Sequence, residues 1–195
     1  VTANRDLILA GVAAGGTTAL ELLWVAPTTA TAPTDATTAL PAGWESAGYI
    51  TTDGVTLGVD ESSEDVGAYA ASGPVRTLNT DSKQTLGVTF LETNPTTIEI
   101  YNRLEPGTIV PDAQGDFDLS IGTIGVQTYS VVVDVVDGVN ALRYYYPSCE
   151  VSDRGEIQVA KGSPIQYEVT FTAYPGADGK ALYEYFHIPE LAAAS

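Results

Sequence analysis

A chain of 195 residues with 8 Lys and Arg against 25 Asp and Glu carries a formal charge of −17. That balance excludes a protein that wraps nucleic acid, which needs cations to neutralise phosphates, and one that anchors on an anionic membrane surface. At 44% hydrophobic residues the length suits one compact domain with its own core, and a single cysteine, Cys149, rules out an intrachain disulfide.

In chain order, residues 1–41 read as an N-terminal arm and linker. Residues 7–26 are apolar in patches (Leu7, Ile8, Leu20, Leu22, Leu23, Trp24), but Thr17, Thr18, Glu21 and three glycines argue against a membrane span. A packed or partner-bound segment fits better than a signal peptide. Residues 27–41, PTTATAPTDATTALP, are Pro/Thr/Ala-rich and predict an extended segment with little core of its own, either a linker or an arm reaching a neighbouring subunit.

A compact domain is predicted over 42–175. Asp53-Gly54 between 44–52 and 55–59 signals a type I′ hairpin turn, because both residues tolerate positive φ. Residues 60–73, DESSEDVGAYAASG, read as an acidic, flexible loop of functional length. Strands are predicted at 75–79 and 84–92, joined by a polar turn at 80–83. Asn94-Pro95 then opens a short helix that Pro106-Gly107 ends, with Ile98, Tyr101 and Leu104 facing the sheet.

A connecting region follows, with one short strand at 117–121. Residues 126–136 alternate, with Tyr129, Val131, Val133 and Val135 on one face and Thr128, Ser130, Val132 and Asp134 on the other. Asp137-Gly138 returns the chain into 141–146, and Asp153-Arg154-Gly155 turns it into 156–160. Residues 165–174 alternate again, Tyr167, Val169, Phe171 and Ala173 inward, Glu168 and Tyr174 outward. Residues 176–195 read as a C-terminal tail. The sum is a mainly β chain: an antiparallel β-sandwich or partial barrel with one short α-helix and extended N- and C-terminal arms.

The chemistry-bearing residues do not assemble into a catalytic, cofactor or metal set. His187 is the only histidine and lies in the tail, far from any nucleophile elbow. One Cys and one His cannot close a zinc shell. Two acidic groups, Asp60/Glu61/Glu64/Asp65 and Asp112/Asp116/Asp118, lack EF-hand spacing and read as solvated loops. No two carboxylates stand out as a glycosidase pair. Gly11, Gly15 and Gly16 lack the P-loop lysine. The aromatics, among them Trp44, Tyr144, Tyr145, Tyr146, Tyr167, Phe171 and Tyr174, read as core and interface residues, with carbohydrate stacking the sharper alternative.

The stretches GWESAGYITTDGVTL, PVRTLNTDSKQTLGVTFLETNP and YYYPSCEVSDRGEI…YEVTFTAYPG resemble the major tail protein, or tail tube protein, of long-tailed, non-contractile bacteriophages. The likeness spans residues 43–176. It implies a structural subunit, not an enzyme, that forms six-subunit rings whose inner sheets join into one β-barrel. The rings stack into a hollow tube through which DNA leaves the virion. It further implies assembly in the host cytoplasm, other tail proteins at the tube ends, no membrane partner and no cofactor. By position, the neighbour-contacting loop would hold Asp60, Glu61, Glu64, Asp65 and Tyr69, and the arm would contribute Leu23 and Trp24. The helix would lie outside the barrel. Asp134 and Glu168, on polar strand faces, are the candidates for the lumen, where acidic groups would repel passing DNA. The reading from a different class is a secreted β-sandwich adhesin or carbohydrate-binding module.

Overall fold

A computed structural model of the chain describes residues 8–9, 21–123 and 125–192. The predicted arm over 1–20 lies outside the described residues except for Ile8 and Leu9. Among the described residues eight strands form one antiparallel sheet: β1 (Leu23–Pro27), β2 (Glu45–Ser46), β3 (Ile50–Gly67), β4 (Pro74–Phe90), β5 (Thr128–Asp137), β6 (Asn140–Arg154), β7 (Tyr167–Ala173) and β8 (Tyr183–His187). One α-helix, α1 (Pro95–Tyr101), follows β4. The strands run in the order β2-β1-β5-β6-β7-β4-β3, with β8 pairing β6 off this path, and the sheet does not close into a barrel.

β6 explains the shape. Along one edge it pairs with β5 from Asn140 to Glu150. Along the other, residues 141–145 pair with β8 and residues 149–154 pair with β7. Two wings therefore leave β6 on the same side. Alternation sets which side chains enter the core. Leu23 and Val25 on β1 lie opposite Val133 and Val131 on β5, and Leu86, Val88 and Phe90 on β4 lie opposite Phe171, Val169 and Tyr167 on β7. These residues and Cys149 and Val151 form one cluster, which Ile100 of α1 enters.

The helix begins where the sequence indicates. The Asn94 side chain accepts from the Thr97 N–H at 2.8 Å, and Pro95 has no N–H to leave unpaired. It ends earlier than Pro106-Gly107. Arg103 takes φ +56, Leu104 N–H donates to Glu99 O at 2.8 Å and Arg103 N–H to Ile100 O at 3.1 Å. That is a Schellman closure with an arginine where glycine is usual. The helix buries Thr96, Thr97, Glu99 and Ile100; of the predicted Ile98, Tyr101 and Leu104, Tyr101 packs on the core edge-on to Tyr167 at 5.5 Å, while Ile98 and Leu104 are half-buried. The Glu99 carboxylate accepts from the Gly107 N–H (3.0 Å) and the Ile109 N–H (2.5 Å), which ties the loop after the helix down. Burial still pushes its pKa up, against those hydrogen bonds.

Other predicted boundaries move. Asp53-Gly54 lies inside β3, where Gly54 at φ +74 makes a bulge between Ile50 and Val55 rather than a hairpin turn. Residues 117–121 and 156–160 are not strands, since no neighbouring strand pairs with them. Both termini of the predicted domain also shift. β1 brings residues 23–27 into the sheet, and β8 brings in 183–187, both assigned from sequence to arms.

Leu23 tests this directly. It is fully buried. Leu23→Ala should cost about 2–5 kcal/mol, the usual range for an emptied core site, read as a lower urea midpoint at unchanged slope. A residue in a free arm would move the midpoint by about 0.5 kcal/mol or less.

Candidate functional site

The acidic stretch predicted as a loop is a two-stranded ribbon. β7 covers β4 only from Gln84 to Phe90. Beyond Gln84, residues 60–67 of β3 pair with 74–83 of β4 and with nothing else. Asp60 faces Lys83, Glu61 faces Ser82, Glu64 faces Leu78 and Asp65 faces Thr77 across the strands. Thr77 donates from its hydroxyl to Asp65 Oδ1 at 2.6 Å. The polar turn predicted at 80–83 is a bulge at Thr80, which has no partner opposite it. The real turn is 68–73, and it presents Tyr69 fully exposed. Every residue from Val59 to Lys83 is exposed, so neither face of the ribbon is packed.

Leu23 and Trp24 do not join this ribbon. Leu23 is core. Trp24 points to the other face of β1, where its indole N–H donates to Glu21 O at 3.2 Å. That outer face of β1, β5, β6 and β8 is covered by the Pro/Thr/Ala segment itself, residues 28–44. Trp44 and Leu40 pack with Val132 and Tyr145. The Trp44 indole donates to Thr31 O (3.0 Å) and the Tyr185 hydroxyl to Pro33 O (3.2 Å). The segment is thus a strap on its own sheet, not a free linker. This is why Val132, predicted on the polar face, is as buried as Val131 and Val133.

One arginine fastens the strap. Arg143 is 5% exposed and pairs with Asp134 through Nε (2.6 Å) and Nη2 (2.8 Å). Its Nη1 donates to Asp35 O and Thr38 O, both at 2.8 Å. Asp134, the first lumen candidate, is therefore spent inside the protein. Asp35 closes the strap's own turn, accepting from the N–H groups of Thr37 (2.8 Å) and Thr38 (2.6 Å) and from both hydroxyls. Those hydrogen bonds favour the anion and hold its pKa well below the usual carboxylate range.

Glu168, the second lumen candidate, is exposed on the outer face of β7. It continues a face made of Thr56 and Gly58 on β3, Thr85, Gly87 and Thr89 on β4, and Thr170 and Thr172 on β7. Thr172 on this face is buried and the Glu168 side chain lies against Gly155, so the face is open only in part. The alternation of 84–90 and 167–173 shows it in the sequence, once the two strands are set in register.

The remaining candidates stay apart. Cys149 is buried and its thiol is pushed up by burial. His187 ends β8 opposite Ala141, exposed. Asp112 accepts from the backbone of Gln114 and Asp116 at 2.9 Å, a self-contained turn. Among the described residues no three His, Cys, Asp or Glu side chains gather to hold a metal ion, and no helix is long and apolar enough to cross a membrane. One cleft of about 610 Å³ is lined by Tyr145, Pro147, Pro175, Tyr183 and Tyr185, but Tyr145 and Tyr183 stack on each other at 5.7 Å and 29°.

Fold and surface together define an open-edged antiparallel β protein with a long projecting ribbon. The chain belongs to the phage tail tube protein family, whose sequence profile matches residues 4–192. Among solved structures it is similar to a chain of the virion of a native gene transfer agent particle, at 8% identity and a TM-score of 0.42, covering 88% of this chain and 100% of that one. It is also similar to a chain of the anti-feeding prophage baseplate, at 9% identity and a TM-score of 0.38, covering 87% and 95%. No curated protein sequence matches it.

Two outcomes follow for the strap. Arg143→Ala leaves Asp134 without its partner and should cost about 3–5 kcal/mol, the range for one half of a buried pair, with new protease cleavage inside 28–44. Asp35 has a folded pKa below its unfolded one, so its contribution is complete above the ordinary carboxylate pKa and is lost as pH falls through and below it. Protection of the Thr37 and Thr38 amides, measured against their intrinsic exchange rates, should therefore fall in acid, and Asp35→Ala should abolish that acid dependence.

Proposed function

We propose that this chain is the tube subunit of a long, non-contractile phage tail, that it self-assembles into stacked hexameric rings, and that the tube conducts DNA during ejection. It does no chemistry. Its partners are copies of itself and the tail proteins at the tube ends, and its place is the virion tail after assembly in the host cytoplasm. Family membership supports the tube role. The observation that carries the assembly is β3. Its 18 residues pair on one edge only, and an open edge of that length is a template for a strand of another chain. Cyclic pairing of such edges closes a ring and removes the exposed edge.

The outer face of β3, β4 and β7 then becomes the lumen wall. Hydroxyls and glycines dominate it from Thr85 to Thr89, with Glu168 on β7; by the same alternation Lys83 and Asp60 continue it where the ribbon begins, and Lys83 pairs with Asp81. A wall whose lysine already pairs with an aspartate offers DNA few phosphate contacts, so the genome slides without specific binding. Repulsion from Glu168 reaches only about 8–10 Å at physiological salt.

Negative-stain microscopy of the purified chain tests the assembly. Rings or tubes with a central hole are expected; a monomer at every concentration, even with a tail-tip complex added as initiator, overturns it. The lumen assignment has its own test. A phage carrying Glu168→Lys with Thr170→Lys should build normal tails yet eject its genome slowly or not at all, and normal ejection would reject this face as the wall.

A further inference from the structure

A separate surface is built beside the start of α1. The chain contributes to it at 46–49, where β2 leads into β3, and again at 92–96, where β4 leads into α1. Glu21, ahead of β1, adds a third segment, and together they line a cleft of about 300 Å³. None of the lining residues belongs to the ribbon or to the face of β3, β4 and β7 proposed for the lumen. Trp44, Tyr145 and Tyr174, read from the sequence as possible sugar platforms, lie elsewhere; the aromatic residue of this cleft is Tyr49.

Its best-fixed group is a carboxylate. Glu92 Oε1 accepts from the Tyr49 N–H at 2.8 Å, and Oε2 accepts from Asn94 Nδ2 at 3.2 Å. Asn94 is itself held, donating to Ala47 O at 3.2 Å and accepting from the Thr97 N–H at 2.8 Å. The Glu92 carboxylate lies against Gly48, where φ is +76 and a Cβ would collide with it. Glycine at that position is what admits the carboxylate. Each Glu92 oxygen keeps capacity for a further hydrogen bond. Ser46 Oγ accepts from the Gly48 N–H at 3.1 Å, so its own hydrogen is left to donate. Glu21 holds the Trp24 indole with its backbone carbonyl, and its carboxylate has no ion pair among the described residues. Tyr49 is 63% exposed.

These residue types narrow the ligand. Neither Lys nor Arg lines the cleft, so its two carboxylates repel a phosphate or a carboxylate. No three His, Cys, Asp or Glu side chains gather among the described residues, so a metal ion lacks its ligand set. What remains is acceptors and donors side by side with an aromatic ring. A sugar matches that set, because each hydroxyl both donates and accepts while the C–H face packs on an apolar plane. Hydroxyls donating to a fixed carboxylate make the stronger, charge-assisted kind of hydrogen bond. The volume is at the low end for small-ligand sites, about 300–1,000 Å³, and suits one ring rather than a chain of them. We propose that this cleft binds a single neutral sugar ring, with Glu92 and Glu21 accepting from its hydroxyls, Ser46 donating to it and Tyr49 stacking on its C–H face. The inference does not rest on the tube reading.

Saturation-transfer NMR on the purified full-length chain tests it. The probes are the methyl glycosides of glucose, galactose, mannose and N-acetylglucosamine, with putrescine as a cationic control. At least one glycoside should receive saturation from the chain and should shift the amide signals of Gly48 and Tyr49. Tyr49→Ala and Glu21→Gln should each weaken that binding about tenfold, the loss of one stacking or charge-assisted contact, with thermal midpoints unchanged. Tyr69→Ala, which removes an exposed tyrosine on the ribbon, should leave it as it is. Binding that survives both cleft substitutions, or that falls with Tyr69→Ala instead, overturns the site. Putrescine binding that Glu21→Gln abolishes, with no glycoside bound, overturns it too, since the cleft then takes a cation. Absence of any glycoside signal at millimolar concentration overturns it outright. Each of these outcomes leaves the tube reading where ring formation puts it.

Discussion

β6 has one edge to offer on the side away from β5, and two strands use it. Its first half binds β8 and its second half binds β7, with Pro147 and Ser148 between them. That division decides the rest of the molecule. The β7-β4-β3 wing must curl over the inner faces of β1 and β5 to bury Leu86, Val88 and Phe90, and α1 must fill the remaining gap with Ile100. The β8 wing leaves an apolar outer face at Val132 and Tyr145, and that face needs a separate cover.

The cover is a strand-less segment, and its composition hid this. Fifteen residues, all Pro, Thr or Ala but for Asp35 and Leu40, carry no hydrophobic period, so a sequence reading finds no reason for them to pack. They pack because the sheet supplies what they lack. Arg143 offers its Nη1 to two strap carbonyls, Tyr185 offers a hydroxyl, and Asp35 satisfies the strap's own amides. The one local hint was the sequence Thr34-Asp35-Ala36-Thr37-Thr38, an Asx-type turn signal. The long-range hint was Val132, too apolar for a solvent face.

The inner core was legible. The alternations at 129–135 and 167–173 place Tyr129, Val131, Val133, Tyr167, Val169 and Phe171 inside, and Asn94-Pro95 starts the helix. The ribbon was not, for a physical reason. DESSED and TLNTDSK have low strand propensity and no apolar face, which are the marks of a loop. Cross-strand backbone pairing extends them all the same, because β3 and β4 are already aligned by Val55–Val88 and Leu57–Leu86 at their base. Residues 156–160 show the converse: they alternate like a strand and stay unpaired. Local preference proposes strands, and an available edge decides.

Of the candidate surface residues, the sequence placed the ribbon carboxylates and Tyr69 on the outside, where they are, and Leu23, Trp24 and Asp134 where they are not. Trp24 and Asp134 lie on the face that the strap covers, whose docking could not be read from its composition, whereas Leu23 is in the inner core opposite Val133.

Cys149 gives the fold a clock. It is the chain's sole thiol, held between Tyr129 on β5 and Ala173 on β7 with no surface exposed. Burial also raises its pKa, so almost no thiolate is present to attack an electrophile. A maleimide can therefore reach it only when β6 parts from its neighbours. The labelling rate of this one atom counts openings of the sheet at its branch point, in free subunits and in any polymer they form, with no dye or mutation built in beforehand.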